Sequence, residues 1–227
     1  MMVKYERIRF RDWKMPDYTK GEEIFNMVSH IVGAAFGIVA LVLSVVFSAL
    51  KGDVWSIVGS SIYGATMILL YTVSSVYHGL GMNMGKRVMQ VIDHCSIFLL
   101  IAGTYTPVLF GAIRNYSLAW CWGLFGAVWG CAALGVTLIA IDMKRFEKFA
   151  MVLYLAMGWC ILMAIKPALL SIPLMGLFWI FVGGVVYSAG AILYGLGSKY
   201  RYMHSAFHIF VVVGSILQFF GIFFYVI

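Results

Sequence analysis

The chain has 227 residues and a mean hydropathy of +0.96, with 63% hydrophobic and only 11% charged residues. Because soluble domains carry about a quarter charged residues, this composition excludes a water-soluble globular protein and indicates a polytopic α-helical membrane protein. The formal net charge of +7 would suggest nucleic-acid binding in a soluble chain, but here it arises from positively charged loops. Four cysteines lie in apolar segments without a CxxC spacing, which predicts small buried side chains rather than disulfides or zinc ligands. They are Cys95, Cys121, Cys131 and Cys160.

Residues 1–25 are predicted to form a cytoplasmic N-terminal arm rich in basic and aromatic residues. The segment lacks an early apolar core, so we expect no cleavable signal peptide. Two interpretations of the arm are open: it lies on anionic lipid headgroups, or it is an ordinary positively charged cytoplasmic tail. Thr19 followed by Glu22 predicts a capping box at the start of the first helix.

Seven apolar segments are each long enough to cross about 30 Å of hydrocarbon as a helix. They run approximately over residues 26–50, 54–78, 88–111, 117–141, 149–166, 174–195 and 203–227. The connections between them are short, so consecutive helices are expected to pack as antiparallel neighbours. The sequence therefore predicts one all-α domain over residues 26–227, a seven-transmembrane helix bundle.

Two groups of glycines have the spacing that favours close packing of membrane helices. Gly33 and Gly37 form a GxxxG pair in the first helix, and Gly123, Gly126 and Gly130 form a second group in the fourth. Such spacings are common by chance in glycine-rich helices, so they carry little weight on their own.

The lysines and arginines predict the orientation of the bundle. With the N-terminus in the cytoplasm, thirteen of the sixteen lie inside and three outside. The inside residues are Lys4, Arg7, Arg9, Arg11, Lys14, Lys20, Lys86, Arg87, Lys144, Arg145, Lys148, Lys199 and Arg201, and the outside ones are Lys51, Arg114 and Lys166. An odd number of spans then places the C-terminus outside. This orientation is inverted relative to heterotrimeric G-protein-coupled receptors and disfavours that class.

Asp93 is the one acidic residue inside a long apolar run. An ionised carboxylate in hydrocarbon costs about 2.5–3.5 kcal/mol on insertion scales, so a partner is expected. The predicted topology places three histidines at the same shallow cytoplasmic depth: His78 at the end of the second helix, and His204 and His208 at the start of the seventh. Asp93 belongs to that layer, because it lies about 9 Å above Arg87 at about 1.5 Å per residue.

These residues together predict a metal site. His204 and His208 are spaced i, i+4 and project from one face of a helix, and Ser74 has the same relation to His78. Three histidines plus a water molecule are the usual open coordination of catalytic zinc, with Asp93 either a fourth ligand or the base for that water. Two alternatives are open: each histidine alone is more often an interhelical hydrogen bonder, and the group also fits a proton relay.

The two remaining histidines are assigned to packing or hydrogen bonding. His94 is rotated by about 100° from Asp93 around its helix, and His30 lies near the start of the first helix. Gln90 and Gln218 are interpreted as polar contacts between helices.

Several motifs carry a resemblance to a known family. They are Glu22-Glu23 with Asn26, Ser29 and His30; Ser74-Ser75-Val76-Tyr77-His78; Ile92-Asp93-His94 leading to Gly103-Thr104-Tyr105-Thr106-Pro107; and His204-Ser205-Ala206-Phe207-His208. Over essentially the whole chain the sequence resembles the hemolysin III proteins, the bacterial branch of the progestin and adipoQ receptor (PAQR) family, which is related to the alkaline ceramidases. The resemblance implies a seven-helix bundle that binds zinc through His78, His204 and His208, with Ser74 and Asp93 completing the site.

The resemblance also implies a set of candidate functions. The first is a zinc-dependent intramembrane hydrolase of a lipid amide or ester in the bacterial cytoplasmic membrane, with Asp93 and Ser74 catalytic and the lipid entering laterally between helices. The second is a non-enzymatic regulator of membrane state with a structural zinc site. A pore-forming cytolysin is the least supported, because no helix carries a charged stripe. Three imidazoles also accept iron or manganese, and no nucleic-acid partner is expected.

Overall fold

The computed structural model describes residues 10–227, which are helical with short connections and contain no strand. The helices are α1 (Lys20–Leu50), α2 (Val54–Gly79), α3 (Met84–Pro107), α4 (Arg114–Tyr116), α5 (Leu118–Gly158), α6 (Ile165–Ser171), α7 (Leu174–Leu196) and α8 (Met203–Tyr225). A π-helical segment, Val108–Ile113, joins α3 to α4, and 3₁₀ turns cover Phe10–Asp12 and Cys160–Ala164. The all-α prediction is confirmed over this range.

Six helical stretches among the described residues are long and apolar enough to cross a membrane. They are Lys20–Leu50, Val54–Gly79, Met84–Tyr116, Leu118–Ser171, Leu174–Leu196 and Met203–Tyr225. These lengths and compositions are those of a multi-pass membrane bundle, as the hydropathy of the sequence predicted.

The exposed and buried faces of α1 differ in composition. Its exposed positions are mostly Val, Ile, Leu and Phe, whereas its buried face is small or polar. The buried residues are Glu22, Asn26, His30, Gly33, Gly37, Ala40, Ser44 and Ser48. They recur every three or four residues, so they form one stripe of the helix. An apolar exterior around a small and polar interior is the pattern expected of a helix that faces lipid.

The long stretch Leu118–Ser171 differs from the two spans predicted at 117–141 and 149–166. Its 54 residues would extend about 80 Å as one straight helix, far more than the about 30 Å of a bilayer core. Asp142 breaks the regularity with φ −159° and ψ 88°, and its carboxylate accepts a hydrogen bond from the Arg145 amide at 3.1 Å. Residues 143–148, predicted as a connection between the two spans, are helical and follow the kink directly.

Capping side chains determine where the first three long helices begin. Glu22 N donates to Thr19 Oγ1 at 3.2 Å and Thr19 N donates to Glu22 Oε2 at 2.9 Å, so the predicted capping box is present. It starts α1 at Lys20, six residues before the predicted span. Asp53 caps α2 and Asn83 caps α3 through side-chain bonds to main-chain amides. The site described below lies next to two of these capped ends.

The helices pack mainly on their sequence neighbours. α1 packs on α2, α2 on α3 and α3 on α5, while α7 packs on α8, which returns to α1. Gly33 and Gly37 face α2, where a Cβ on Gly33 would lie 2.7 Å from the Tyr71 ring. Contacts between α5 and α7 are sparse, so the bundle has a cleft between these two helices.

The second glycine group behaves differently from the first. A Cβ added at Gly123, Gly126 or Gly130 would meet no atom of the described chain within 4 Å. These glycines face outward in α5, so the prediction of close packing at this group is wrong within the chain.

We expect Gly33→Ala to lower the free energy of unfolding by about 1–3 kcal/mol, the usual cost of overpacking a well-packed interior. The added methyl group would collide with Tyr71, which is fully buried and hydrogen-bonded to Ser215. Gly126→Ala is the matched control, because it makes the same change in open space. Thermal unfolding in detergent measures both, and equal melting temperatures for the two variants would contradict the packing described here.

Candidate metal centre

Three buried histidines converge where α2 ends and α8 begins. One ring nitrogen from each of His78, His204 and His208 lies within 4.8 Å of the other two. Their exposed fractions are 3%, 9% and 1%. His204 and His208, the i, i+4 pair on α8, therefore face the last turn of α2. This agrees with the prediction that all three histidines lie at the same depth.

The nitrogen atoms of this group suit a metal ion with imidazole ligands. His208 Nε2 lies 3.1 Å from His204 Nε2, and two nitrogens bound tetrahedrally to one zinc ion are about 3.3 Å apart, since Zn–N bonds are about 2.0–2.1 Å. His78 Nε2 is buried and has no hydrogen-bond partner within residues 10–227. A buried nitrogen without a partner is unfavourable, and a shared metal ion would bind this nitrogen together with one nitrogen of each of the other two rings. The donor set thus fits zinc.

Asp93 and Ser74 lie beside the histidines. The Ser74 hydroxyl and the Asp93 carboxyl group interact through their side chains, and both line an internal cavity of about 180 Å³ together with His204 and His208. Asp93 is not part of the group whose ligand atoms lie within 4.8 Å of one another. Its position therefore favours a role beside the metal ligands over a role as the fourth ligand.

The segment before α1 covers the site. The Tyr18 ring stacks on His204 with centroids 4.8 Å apart and planes at 18°, and it lies 5.8 Å from the His78 ring. Trp13 is buried, and its main-chain carbonyl accepts a hydrogen bond from Arg87. Burial raises the pKa of the Tyr18 hydroxyl above its ordinary value, so it stays protonated. Trp13 and Tyr18 therefore attach the segment before α1 to the bundle, whereas residues 1–9 of the predicted N-terminal arm lie outside the described residues.

Sequence reasoning missed a carboxylate that contacts a predicted ligand. Glu23 Oε2 lies 2.6 Å from His78 Nδ1, and Glu23 Oε1 lies 2.7 Å from Lys86 Nζ. Lys86 was assigned to the cytoplasmic surface by its charge, yet it is 3% exposed and also donates to the Leu80 carbonyl at 2.9 Å. Glu23 appeared only as part of the Glu22-Glu23 motif, and that motif was the one available signal.

The other two histidines differ in their contacts. His94 has hydrogen-bond contacts at both nitrogens, with the Gln90 carbonyl at 2.8 Å and the Tyr194 hydroxyl at 3.1 Å. His30 packs 3.9 Å from the His208 ring, centroid to centroid, and neither of its nitrogens has a hydrogen-bond partner within residues 10–227. His94 therefore serves hydrogen bonding and His30 serves packing, as expected, and His30 lies against one of the three clustered histidines.

Comparisons with known proteins agree with this architecture. A sequence model of the family described as Haemolysin-III related matches residues 18–219. The chain belongs to the hemolysin III family. It is similar to the Hemolysin-3 homolog of Bacillus subtilis (strain 168), with 38% identity over 92% of this chain and 96% of the relative, and to Hemolysin-3 of Bacillus cereus, with 35% identity over 94% and 95%. The monocyte to macrophage differentiation factor of Homo sapiens is 25% identical over 88% of this chain and 83% of its own length, a more distant PAQR relative.

An apolar cleft adjoins the cavity beside the histidines in this hemolysin III bundle. It has a volume of about 410 Å³ and lies between the end of α3, the turn Cys160–Ala164, α6 and α7. The cleft and the cavity share lining residues, among them Tyr105, Trp159 and Gln218. The two spaces are therefore neighbours, and α7 residues line both of them.

We expect detergent-purified protein to contain about one zinc ion per chain, as a single three-histidine site would hold. Both His78→Ala and the double variant His204→Ala/His208→Ala should lose it, because each removes part of the ligand group. His94→Ala is the control, since His94 lies outside that group. Elemental analysis without chelators measures all four proteins. Metal retained by the double variant, or absent from the wild type, would contradict the site.

Proposed function

We propose that this protein is a seven-span, zinc-dependent hydrolase of the bacterial cytoplasmic membrane that cleaves an amide or ester bond of a membrane lipid. The observation that carries the proposal is the convergence of three buried imidazoles, with Asp93 and Ser74 beside them, on a cavity that adjoins an apolar cleft. The proposal extends beyond membership of the hemolysin III family in naming the metal, the reaction and the compartment.

Two features support a seven-span topology with the N-terminus inside. The kink at Asp142 divides the 54-residue stretch Leu118–Ser171 into two parts that can each cross the bilayer. The excess of lysines and arginines then favours a cytoplasmic N-terminus. In this topology the cluster lies at the cytoplasmic end of the bundle, where α2 ends and α8 begins.

The residues around the cluster suit hydrolysis. When bound, zinc supplies Lewis acidity and lowers the pKa of water from 15.7 toward about 7. Asp93 lines the cavity next to the histidines, where its carboxylate can take a proton from an attacking water and return it to the leaving group. Ser74 can orient that carboxylate or donate to the developing oxyanion. The Tyr18 phenol stays protonated above His204 and can donate to a polar headgroup.

The shape of the interior suits a lipid substrate. An acyl chain would enter from the bilayer between α5 and α7 and lie in the apolar cleft, with its carbonyl group in the adjoining cavity beside Asp93 and His204. Exposed apolar side chains such as Leu162, Phe178 and Phe181 line the cleft and match the surrounding hydrocarbon.

A second candidate is a non-enzymatic regulator of membrane state in which the metal has a structural role. The positions of the three histidines favour this candidate. His78 lies on α2 and the other two lie on α8, so one ion bound by all three would hold these helices together. Metal binding energy would then become folding energy. A cytolysin is less favoured, because the buried polar side chains of the described helices form no charged stripe.

We expect Asp93→Asn to keep its metal and lose lipid hydrolysis by a factor of about 10² to 10⁴, the usual contribution of a general base. The measurement uses proteoliposomes with fluorescent ceramide and phospholipid ester probes, analysed by mass spectrometry. Glu147→Gln is the control, since Glu147 is a partly exposed acid at the rim of the same cavity.

Undiminished turnover in Asp93→Asn would remove Asp93 from the chemistry. If the metal-loaded wild type released no product from any probe or from total membrane lipid, while chelation lowered its melting temperature, the regulator would replace the hydrolase.

A further inference from the structure

We propose that Glu23 is the positioning residue of the metal centre: its carboxylate holds His78 so that Nε2 faces the other two imidazoles, and Lys86 holds the carboxylate. The inference rests on the metal-binding part of the proposed function and requires no particular reaction. It concerns a residue that supplies no ligand itself.

The contact between Glu23 and His78 determines which ring nitrogen is available. Glu23 Oε2 lies 2.6 Å from His78 Nδ1, the short distance of a charge-assisted hydrogen bond. An ionised carboxylate only accepts hydrogen bonds, so Nδ1 carries the proton and the lone pair lies on Nε2. That nitrogen is the one without a partner. Carboxylates contact metal-binding histidines in this way in many zinc sites.

Lys86 fixes the other oxygen of the same carboxylate. Its ammonium group lies 2.7 Å from Glu23 Oε1 and 2.9 Å from the Leu80 carbonyl. Because Lys86 is buried, its charge requires a partner in this position. Each carboxylate oxygen thus has its own partner, so the carboxylate cannot rotate without breaking one of the two hydrogen bonds.

The neighbouring residues of α1 hold the second ligand helix. Glu22 Oε1 accepts a hydrogen bond at 2.7 Å from the amide of Tyr202, two residues before His204. Tyr202 has φ 62°, a left-handed conformation that is strained for a non-glycine residue, so the start of α8 depends on such contacts. Two turns after Glu23, His30 packs on the His208 ring at 3.9 Å. One face of α1 therefore contacts both ligand-bearing helices.

Substitutions in a Lys86→Met background isolate the role of the carboxylate. With the ammonium removed, Gln at residue 23 keeps an oxygen that can accept the His78 N–H, whereas Met has similar size and no acceptor. We expect Glu23→Gln/Lys86→Met to bind Zn²⁺ within about threefold of Lys86→Met, and Glu23→Met/Lys86→Met to bind about 10–100-fold more weakly, the usual effect of losing such a partner. Glu23→Gln alone should also bind weakly, because its amide N–H₂ would face the ammonium.

The experiment measures Zn²⁺ dissociation constants by chelator competition on full-length protein in detergent. Absorption spectra of the Co²⁺-loaded proteins report the coordination geometry, which a merely structural effect on stability would not change. Asp53→Asn is the matched control, since it removes a carboxylate charge at the opposite end of α2 and keeps a capping side chain. Its affinity should equal that of the wild type.

The outcomes separate this inference from the proposed function. A wild type that binds no metal would refute the metal site itself. A wild type that binds metal, with equal affinities for the Gln and Met variants in the Lys86→Met background, would overturn the role of Glu23 alone. Failure of the Met variant to fold without metal would assign Glu23 to the fold and would likewise overturn the proposal.

Discussion

Hydrocarbon offers no hydrogen bonds, so a membrane bundle has to pair its buried polar groups with one another. At the end of this bundle where α2 finishes and α8 begins, that constraint is met by the contacts of Glu23 with His78 and Lys86. A buried ammonium, a carboxylate and an imidazole satisfy one another there, and the imidazole is left with one free nitrogen that faces two further histidines. The contacts that satisfy these polar groups therefore also hold α1, α2 and α3 together.

The capped helix ends place this centre close to the edge of the bundle rather than at its middle. Thr19 begins α1 one turn before Glu23, and Asn83 begins α3 three residues before Lys86. Tyr18, the residue before the Thr19 cap, stacks on the His204 ring. Local capping preferences thus determine which side chains of the first helix can reach the histidines, and they also close the site from the side of the N-terminal segment.

The sequence predicted those parts of the site that depend on periodicity and depth. The HxxxH spacing places His204 and His208 on one face, and hydropathy together with the charged loops places His78 and Asp93 in the same layer. Glu23 and Lys86 lie 55 and 8 residues from His78, and charged residues near helix ends look alike whether they are solvated or buried. Their contacts depend on how α1 packs against α2 and α3, which no local pattern encodes.

The same contrast between local sequence pattern and tertiary packing explains where the fold differs from the sequence predictions. Helix resumes directly after the kink at Asp142, over residues 143–149, which contain no glycine or proline although their charges predicted a loop. The outward position of Gly126 also depends on the packing of α5, since a GxxxG spacing has the same appearance on a lipid-facing side. Hydropathy thus predicted the class of fold and local capping residues predicted helix starts, whereas the packing partners of each helix face depend on tertiary contacts.

The position of Asp93 bears on the choice between a catalytic and a structural metal. Structural zinc sites are closed by four protein ligands, whereas catalytic sites use three and leave one position open. Here three imidazoles form the close group and Asp93 lies beside it, in contact with Ser74 at the cavity wall. If the metal served only to join α2 to α8, a fourth ligand from α3 would make the junction stronger, and Asp93 is the residue placed to provide it. That the carboxylate lies outside the close group of imidazoles is consistent with an open coordination position, and this supports the proposed hydrolase over a purely structural metal site.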